Sequence, residues 1–174
     1  MGRPSTGQQV AKPLYTEEQR ARRDRSRWTL VQGILAPLQF VVFAISLVLV
    51  IRCLNTGEGA TAATVSVIAK TLTLYAIMVT GSLWEKDVFG RYLFAEAFFW
   101  EDVVSMLVIA LHTAYLVALF TGAFGLRGQL LLALAAYATY VINAAQFVWK
   151  LRAARLGAAA RSASADDIYL VPGK

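Results

Sequence analysis

Residues 84–102, WEKDVFGRYLFAEAFFWED, are the stretch on which the interpretation of this chain depends. The stretch contains two of the four Trp, four of the nine Phe and five of the eleven Asp and Glu residues. It joins two long apolar runs, so we expect its carboxylates to lie against a membrane rather than in open water. A loop of this composition is a candidate for chemistry. The alternative is an interfacial hairpin whose aromatic rings anchor at headgroup depth.

Four apolar runs predict four membrane-spanning helices in a chain of 174 residues that is 57% hydrophobic and 16% charged. Each run is close to the roughly 20 residues that cross a bilayer. The sequence therefore predicts an all-α integral membrane four-helix bundle over residues 28–150. A basic segment (1–27) precedes it and a largely disordered tail (151–174) follows it. The spans are expected at about residues 28–51, 62–83, 100–122 and 129–149.

The distribution of Lys and Arg predicts how the bundle is oriented. Fourteen of these residues flank the side that carries both termini, whereas two, Arg52 and Arg127, lie in the opposite turns. Positive charge favours the cytoplasmic side, so both termini are expected to be cytoplasmic. The basic residues before the first span suit anionic lipid headgroups better than nucleic acid. One cysteine and one histidine exclude an intramolecular disulfide and a bis-His haem.

Polar residues near or inside the spans support three local predictions. Thr16 and Gln19 fit a capping box that starts a polar helix. Gln32 and Gln39 are expected to face other helices, because an amide that faces lipid lacks partners. Lys70 is interpreted as a boundary lysine whose ammonium snorkels to the headgroups. The alternative for Lys70 is a cation that receives the carboxylate of a ligand.

Glu101 and His112 share one face of the third predicted span. Eleven residues of helix place them about 20° apart around the axis and about 16 Å apart along it. That distance is too long to hold one atom, but the two residues could touch opposite ends of one large flat ligand. A metal-bearing macrocycle bound by His112 is such a ligand. The alternatives are a packing role for His112 and helix capping for Glu101 and Asp102.

Three runs carry a resemblance to a known family: SRWTLVQGILAPLQF (26–40), MVTGSLWEKDVFGRYLFAEAFFWEDVVSMLVIALHTAYLVALF (78–120) and LALAAYATYVINAAQFVWKLRAARL (132–156). The chain resembles the 2-vinyl bacteriochlorophyllide hydratases (chlorophyllide 3¹-hydratases) over roughly residues 14–156. The WEK, VFGRYLF and FFWEDVVS segments make the resemblance specific, since membrane helices in general do not require them.

The resemblance implies a hydro-lyase of bacteriochlorophyll biosynthesis in the intracytoplasmic photosynthetic membrane of a bacterium. Such an enzyme adds water to the C3 vinyl group of a magnesium chlorin, chlorophyllide a or 3-vinyl bacteriochlorophyllide, and forms a 1-hydroxyethyl group. The resemblance implies no cofactor. The implied partners are the magnesium chlorin, membrane lipid and other pigment-biosynthesis enzymes, with no nucleic acid.

This reaction requires an acid, a group that positions water and surroundings that stabilise a cation. Glu101 is the first candidate for the acid and Asp102 the second, because adjacent carboxylates repel as anions and one is expected to keep a proton. Position alone would also allow Glu85 or Glu96. No intrinsic metal site is expected. The substrate-binding candidates are Phe98, Phe99 and Trp100 for ring stacking, Lys86 and Arg91 for the propionate, Asn143 and Gln146 as polar contacts, and His112 as a ligand of the substrate magnesium.

Two other functional classes remain compatible with the sequence. A non-enzymatic pigment-binding or assembly protein of a photosynthetic membrane would use the same histidine and aromatic residues without turnover. A small transporter would require a polar stripe through the whole bilayer, and the half distant from the termini offers little beyond Lys70. Composition therefore disfavours the transporter but does not separate a hydratase from a pigment carrier.

Overall fold

The computed structural model describes residues 14–169, with side chains through residue 159, and this part of the chain is all-helical. Helices α2 to α5 are long and apolar enough to cross a membrane. The predicted all-α class with four membrane spans is therefore confirmed. The helices are α1 (Glu17–Arg25), α2 (Arg27–Thr56), α3 (Ala60–Phe89), α4 (Phe99–Thr121) and α5 (Gly125–Tyr169).

Large apolar side chains point outward along all four long helices. Ile34 on α2, Val79 on α3, Phe120 on α4 and Ile142 on α5 are each more than half exposed. Soluble proteins seldom expose such continuous apolar surface, whereas lipid chains cover it favourably. The outer surface of the bundle therefore fits the interior of a bilayer.

Helices α2 and α3 form one antiparallel hairpin, closed by a turn that begins at Gly57. Gly57 ends α2 with a φ of 75°, the left-handed conformation that glycine adopts without steric conflict. The Gln32 amide on α2 donates to the Thr80 hydroxyl on α3 at 2.7 Å. Gln32 thus faces a neighbouring helix, and Gln39 is buried, so the prediction made for both glutamines is confirmed.

Helices α4 and α5 form a second hairpin, which packs against the first through polar and aromatic side chains. The Asn143 amide on α5 donates to the Ser105 hydroxyl on α4 at 2.7 Å. Between the hairpins, the hydroxyl groups of Ser46 on α2 and Tyr137 on α5 are 2.5 Å apart. The interior of the bundle is consequently a mixed polar and apolar interface.

Helix α1 folds over one end of the bundle, which we call the loop end because it also carries residues 90–98. The predicted capping box is present: Thr16 accepts from the Gln19 backbone N–H, and the Gln19 side chain accepts from the Thr16 backbone N–H. Ser26, between α1 and α2, donates to the Asp87 carboxylate near the end of α3 at 2.8 Å. These contacts fix the N-terminal segment beside the loop.

Two helices extend beyond the predicted spans. Helix α3 continues to Phe89, so the connection to α4 is the nine-residue segment 90–98 rather than the whole 84–100 stretch. Helix α5 continues to Tyr169, so the tail predicted to be largely disordered is helical over its first part. The run of alanines after residue 152 favours this continuation. Residues 1–13 and 170–174, including parts of the predicted basic segment and tail, lie outside the described range.

Candidate active site

Three buried carboxyl groups meet at the loop end, where the last turns of α3 approach the first turn of α4. Glu85, Glu101 and Asp102 are each no more than 6% exposed. The carboxyl groups of Glu85 and Asp102 interact directly with each other. Two buried carboxylates side by side repel as anions, which favours a proton on one of them. The Glu85–Asp102 pair is therefore a candidate proton donor.

Two consecutive backbone amides of the 90–98 loop hold this carboxyl pair in place. The Phe94 N–H donates to the Asp102 carboxyl at 2.7 Å, and the Ala95 N–H donates to Glu85 at 3.2 Å. Phe94 has a φ of 59°, a left-handed conformation that bulky residues rarely adopt. The loop thus takes an unusual backbone conformation at Phe94, the residue whose amide binds Asp102.

Glu101 lies in a different electrostatic setting from its neighbour Asp102. The Lys150 ammonium on α5 is 2.5 Å from the Glu101 carboxylate, and Lys150 also lies over the Phe98 ring at 5.1 Å. The ion pair is largely removed from solvent, with the Glu101 side chain 8% exposed. Glu101 is therefore ion-paired with Lys150 on α5, whereas Asp102 interacts with Glu85 on α3.

The three aromatic residues predicted to stack on a ligand have different environments. Phe98 is buried within a cluster of rings, which it shares with Trp84, Phe89 and Phe147 at centroid distances of 5.8 Å. Phe99 and Trp100 are exposed at the surface of the bundle. Their side chains are open to a ligand that arrives from the lipid, whereas the Phe98 ring is already packed.

The two cations predicted to receive a propionate lie on the outer side of the loop. Lys86 is exposed and donates to the Tyr92 hydroxyl. Arg91 lines a cavity of about 540 Å³ between the start of α1 and the loop. Ala95 lines the same cavity and donates its backbone N–H to Glu85. The loop backbone therefore separates this cavity from the carboxyl pair.

A second cavity, of about 400 Å³, is an open groove between α4 and α5 and includes Glu101 in its lining. Gln146 and Lys150 also line the groove, and Trp149 borders it at the membrane-facing surface. The Oε1 atom of Gln146 and the Oδ1 atom of Asn143 are buried without a hydrogen-bond partner among the described residues. Two amide acceptors are thus available to a water molecule or a ligand donor near Glu101.

His112 is fully enclosed deeper in the bundle, with one ring nitrogen engaged and the other available. Its Nδ1 atom is 2.8 Å from the Val108 carbonyl oxygen, so Nδ1 carries the hydrogen and donates. Nε2 has no hydrogen-bond partner in the described part of the chain. This tautomer leaves a lone pair on Nε2, which is the form that ligates a metal or accepts a hydrogen bond. Across residues 14–159, no group of three or more His, Cys, Asp or Glu side chains could hold a metal ion.

Lys70 does not extend to the membrane surface, and the interpretation of Lys70 as a snorkelling residue is wrong. The residue is 0% exposed, and its ammonium lies 3.7 Å from the centroid of the Tyr140 ring. The ring contact turns the lysine inward because Tyr140, on α5, faces the interior across the hairpin interface. Within the described range, the Nζ atom has no hydrogen-bond partner.

Sequence reasoning named most of these residues but not their pairing. Glu85 was only an alternative acid, and Lys150 was counted solely as a topological charge. The sequence of α5 does contain a usable signal. Asn143, Gln146 and Lys150 recur at intervals of three and four residues and so share one face of that helix. Glu101 and Ser105 repeat that spacing on α4. The partnership of Glu85 with Asp102 depends on the loop geometry and has no comparable signal.

Comparison with known proteins gives consistent results. A family model described as 2-vinyl bacteriochlorophyllide hydratase matches residues 15–153. The chain is 70% identical over 152 residues to the 2-vinyl bacteriochlorophyllide hydratase of Rhodobacter capsulatus, covering 87% of this chain and 88% of that protein. It is 74% identical over 144 residues to the protein of the same name from Cereibacter sphaeroides, covering 82% and 89%. No solved structure matches the chain. The chain therefore belongs to the 2-vinyl bacteriochlorophyllide hydratase family.

Proposed function

We propose that this protein is a hydro-lyase that adds water to the C3 vinyl group of chlorophyllide a or 3-vinyl bacteriochlorophyllide. The product carries a 3-(1-hydroxyethyl) group and belongs to bacteriochlorophyll biosynthesis. Family membership supports the reaction. The observation that carries the mechanism is that consecutive loop amides hold the buried carboxyl groups of Glu85 and Asp102 beside the ion-paired Glu101. A carboxyl group of the Glu85–Asp102 pair can deliver a proton, and the neighbouring carboxylate of Glu101 can accept one.

Asp102, acting with Glu85, is the proton donor in this proposal. The proton moves to the terminal vinyl carbon, and the positive charge that forms on the adjacent carbon spreads into the conjugated macrocycle. Glu101, the first candidate from the sequence, is less suited to this step because its carboxylate is engaged by the Lys150 ammonium. The carboxyl pair is better suited because two buried carboxyl groups side by side repel as anions, which favours a proton on one of them.

Glu101 is the base in this proposal. Water attacks the cationic carbon, forms the C–O bond and releases one proton to the Glu101 carboxylate. Gln146 and Asn143 orient the water through their amide oxygens, which have no other described partner. Transfer of the proton from Glu101 back to the carboxyl pair restores the enzyme. One water molecule is consumed, and no oxidant or reductant is needed.

The groove between α4 and α5 is the proposed entrance for the substrate. Its lining includes Glu101, and it opens where exposed Trp149 meets the membrane. The flat macrocycle would pass from lipid into the bundle with its vinyl edge towards the carboxyl groups. Trp100 and Phe99 are the proposed stacking surface at the entrance, and the Nε2 atom of His112 is the proposed contact for the central magnesium or a polar group of the ring.

Both termini are proposed to be cytoplasmic, which puts the carboxyl groups near cytoplasmic water. The support is the excess of Lys and Arg on the terminal side of the bundle. The proposed membrane is the intracytoplasmic photosynthetic membrane, where the lipid-soluble pigment is available. Other pigment-biosynthesis enzymes are the proposed further partners.

The test is to incubate purified protein with chlorophyllide and to follow the absorption spectrum. Loss of the vinyl conjugation should shift the absorption to shorter wavelength. Asp102→Asn protein is the matched control, because the asparagine oxygen can still accept from the Phe94 N–H but the side chain cannot supply the proton. Pigment that binds to the parent protein with no shift would support the non-enzymatic pigment carrier instead.

A further inference from the structure

We infer that the backbone N–H groups of Phe94 and Ala95 stabilise the negative charge that the Glu85–Asp102 pair acquires when its proton leaves for the substrate. The inference rests on the proposed function and deepens it, because it names the groups that make proton donation possible inside an apolar site. Phe94 and Ala95 are positioning residues in this account, since they act on the substrate only through the carboxyl pair.

Proton donation leaves one additional negative charge on the carboxyl pair. The O–H bond breaks while a C–H bond forms at the terminal vinyl carbon, and the electron pair of the O–H bond stays on a carboxyl oxygen. Glu85 and Asp102 are 5% and 3% exposed, so bulk water stabilises that charge little. Among the described side chains, Lys150 is ion-paired with Glu101, and no ion pair reaches Glu85 or Asp102. The charge therefore requires hydrogen-bond donors from elsewhere.

The 90–98 loop supplies two such donors. The Phe94 backbone nitrogen is 2.7 Å from Oδ2 of Asp102, and the Ala95 backbone nitrogen is 3.2 Å from Oε2 of Glu85. Ala95 is itself 2% exposed, so water competes little for its N–H group. Fixed donors in a site that excludes water stabilise a developing charge strongly, because they need no reorganisation during the reaction.

The left-handed conformation of Phe94 explains why both donors point towards the carboxyl groups. A left-handed residue next to a residue of ordinary conformation turns successive N–H groups to the same side, an arrangement called a nest. Phe94 has a φ of 59°, whereas Ala95 has no positive φ. Glycine adopts the left-handed conformation freely, but a bulky residue keeps it only where neighbouring contacts hold it.

Contacts on both sides of Phe94 hold the loop in this conformation. The Phe94 ring packs against the Phe99 ring at the start of α4, with the centroids 5.8 Å apart. The Phe98 N–H donates to the Ala95 carbonyl oxygen at 2.8 Å, which closes the loop directly after the two donors. The chain therefore maintains a strained residue at a point where its amide faces a buried carboxyl group.

The direct test replaces one backbone amide by an ester in the full-length protein. Phenyllactic acid at position 94, or lactic acid at position 95, removes a single N–H donor and keeps the side chain. The hydration rate at saturating chlorophyllide should fall roughly 10- to 100-fold in each case, the range of a hydrogen bond to a charged group. Pigment affinity should change little, because the donors act on the chemical step.

Infrared spectra of the protein without pigment give a second measurement that does not depend on turnover. The carboxylic acid C=O stretch of the pair is identified as the band that Glu85→Gln and Asp102→Asn both alter. A hydrogen bond to a carboxyl group lowers the frequency of this stretch. Loss of one N–H donor in either ester variant should therefore move the band to higher frequency.

Side-chain variants separate the backbone conformation from the aromatic ring. Phe94→Gly and Phe94→Val both remove the ring, but glycine accepts the left-handed conformation and the β-branched valine does not. Phe94→Gly should hydrate the pigment roughly tenfold faster than Phe94→Val, equivalent to one hydrogen bond retained. Phe124, with a φ of 64° in the turn between α4 and α5, is the matched control. Phe124→Val introduces the same strain at the opposite end of α4 and should keep the parental rate.

The possible results are distinguishable. The inference is overturned by parental rates in both ester variants, by an unmoved C=O band, by equal rates for Phe94→Gly and Phe94→Val, or by slow turnover in Phe124→Val. Each of these results leaves hydration by the parent intact, so the proposed function would stand. Weaker pigment binding at an unchanged maximal rate in the ester variants would also overturn it, because the loop amides would then contact the pigment. A parent that binds pigment without hydrating it would overturn the proposed function and this inference with it.

Discussion

Glu101 and Asp102 are adjacent in the chain, yet their carboxyl groups bind partners on different helices. One helical residue step turns a side chain by about 100°, so Glu101 faces Lys150 on α5 while Asp102 faces Glu85 on α3. The result is an ion-paired carboxylate next to a pair of interacting carboxyl groups. Two groups that look equivalent in the sequence thus have different partners, which is the basis for the separate acid and base roles proposed for them.

Asp102→Asn should lose hydration activity by roughly 10² to 10⁴, the contribution of a positioned general acid. Glu85→Gln should show a loss of similar order, because the pair shares its proton. The measurement is the initial rate of the absorption shift under saturating chlorophyllide. Pigment binding, measured separately, should remain close to that of the parent. Parental rates in both variants and in their double variant would remove the pair from the mechanism.

Glu101→Gln should separate the two chemical steps. This variant keeps the proposed acid but lacks the proposed base, so hydration should fall by roughly 10² or more. Reversible protonation of the vinyl group should continue, and substrate recovered from D₂O should contain deuterium at the terminal carbon. Asp102→Asn should lose both hydration and deuterium incorporation. Deuterium incorporation by Asp102→Asn but not by Glu101→Gln would exchange the proposed roles.

His112→Phe should weaken pigment binding by roughly tenfold, equivalent to one lost hydrogen bond or ligand contact. The phenyl ring occupies a similar volume and removes only the buried nitrogen atoms, so the fold should be affected less than binding. Binding is measured by pigment fluorescence and folding by thermal unfolding in the same detergent. Parental affinity together with a lower melting temperature would identify His112 as a packing residue.

Lys70→Met should make the protein without pigment more stable. The methionine side chain is of similar length and removes a buried ammonium that has no described anionic partner, a gain of about 1–3 kcal/mol. For a chain of this size that gain corresponds to a melting temperature higher by roughly 2–4 °C for each kcal/mol. The control is Lys86→Met, at an exposed position, which should change the melting temperature little. A lower melting temperature for Lys70→Met would indicate that the ammonium is already compensated.

The predicted orientation can be tested by cysteine labelling in a Cys53→Ser background, since Cys53 is the chain's only cysteine and is buried. Glu17→Cys on α1 and Glu58→Cys in the turn between α2 and α3 form a matched pair of exposed positions. An impermeant thiol reagent added from the periplasmic side should label residue 58 and leave residue 17 unlabelled. Labelling of residue 17 alone would reverse the orientation.

Much of the fold follows from the sequence because the burial of apolar side chains in lipid acts on long, continuous segments. Runs of more than twenty apolar residues must form helices in lipid, where every backbone polar group needs a partner in its own segment. Gln32 could be assigned to a helix contact for the same reason, since an isolated amide is unfavourable in lipid. The ends of the helices were less predictable. Helices α3 and α5 continue past their hydrophobic stretches into residues that water can solvate, so the lipid does not determine where these helices end.

The candidate site was only partly predictable, because its contacts join residues that are distant in the chain. The face shared by Glu101 and His112 follows from helical periodicity. Both side chains are buried, because that face of α4 points into the bundle. The contact between Glu85 and Asp102 depends on the conformation of the nine residues between α3 and α4, including the left-handed Phe94. Periodicity carries no information about that segment. Lys70 was misjudged because its burial depends on Tyr140 from another hairpin.

The carboxyl pair spans the boundary between the two hairpins, and this has a consequence for biogenesis. Glu85 belongs to the α2–α3 hairpin, and Asp102 belongs to the α4–α5 hairpin. Membrane helices insert first and associate afterwards. A chain with all four helices inserted but with undocked hairpins would leave each carboxyl group without the other. On the proposed mechanism, the proton donor forms only when the two hairpins dock, so an incompletely assembled protein should not hydrate the pigment.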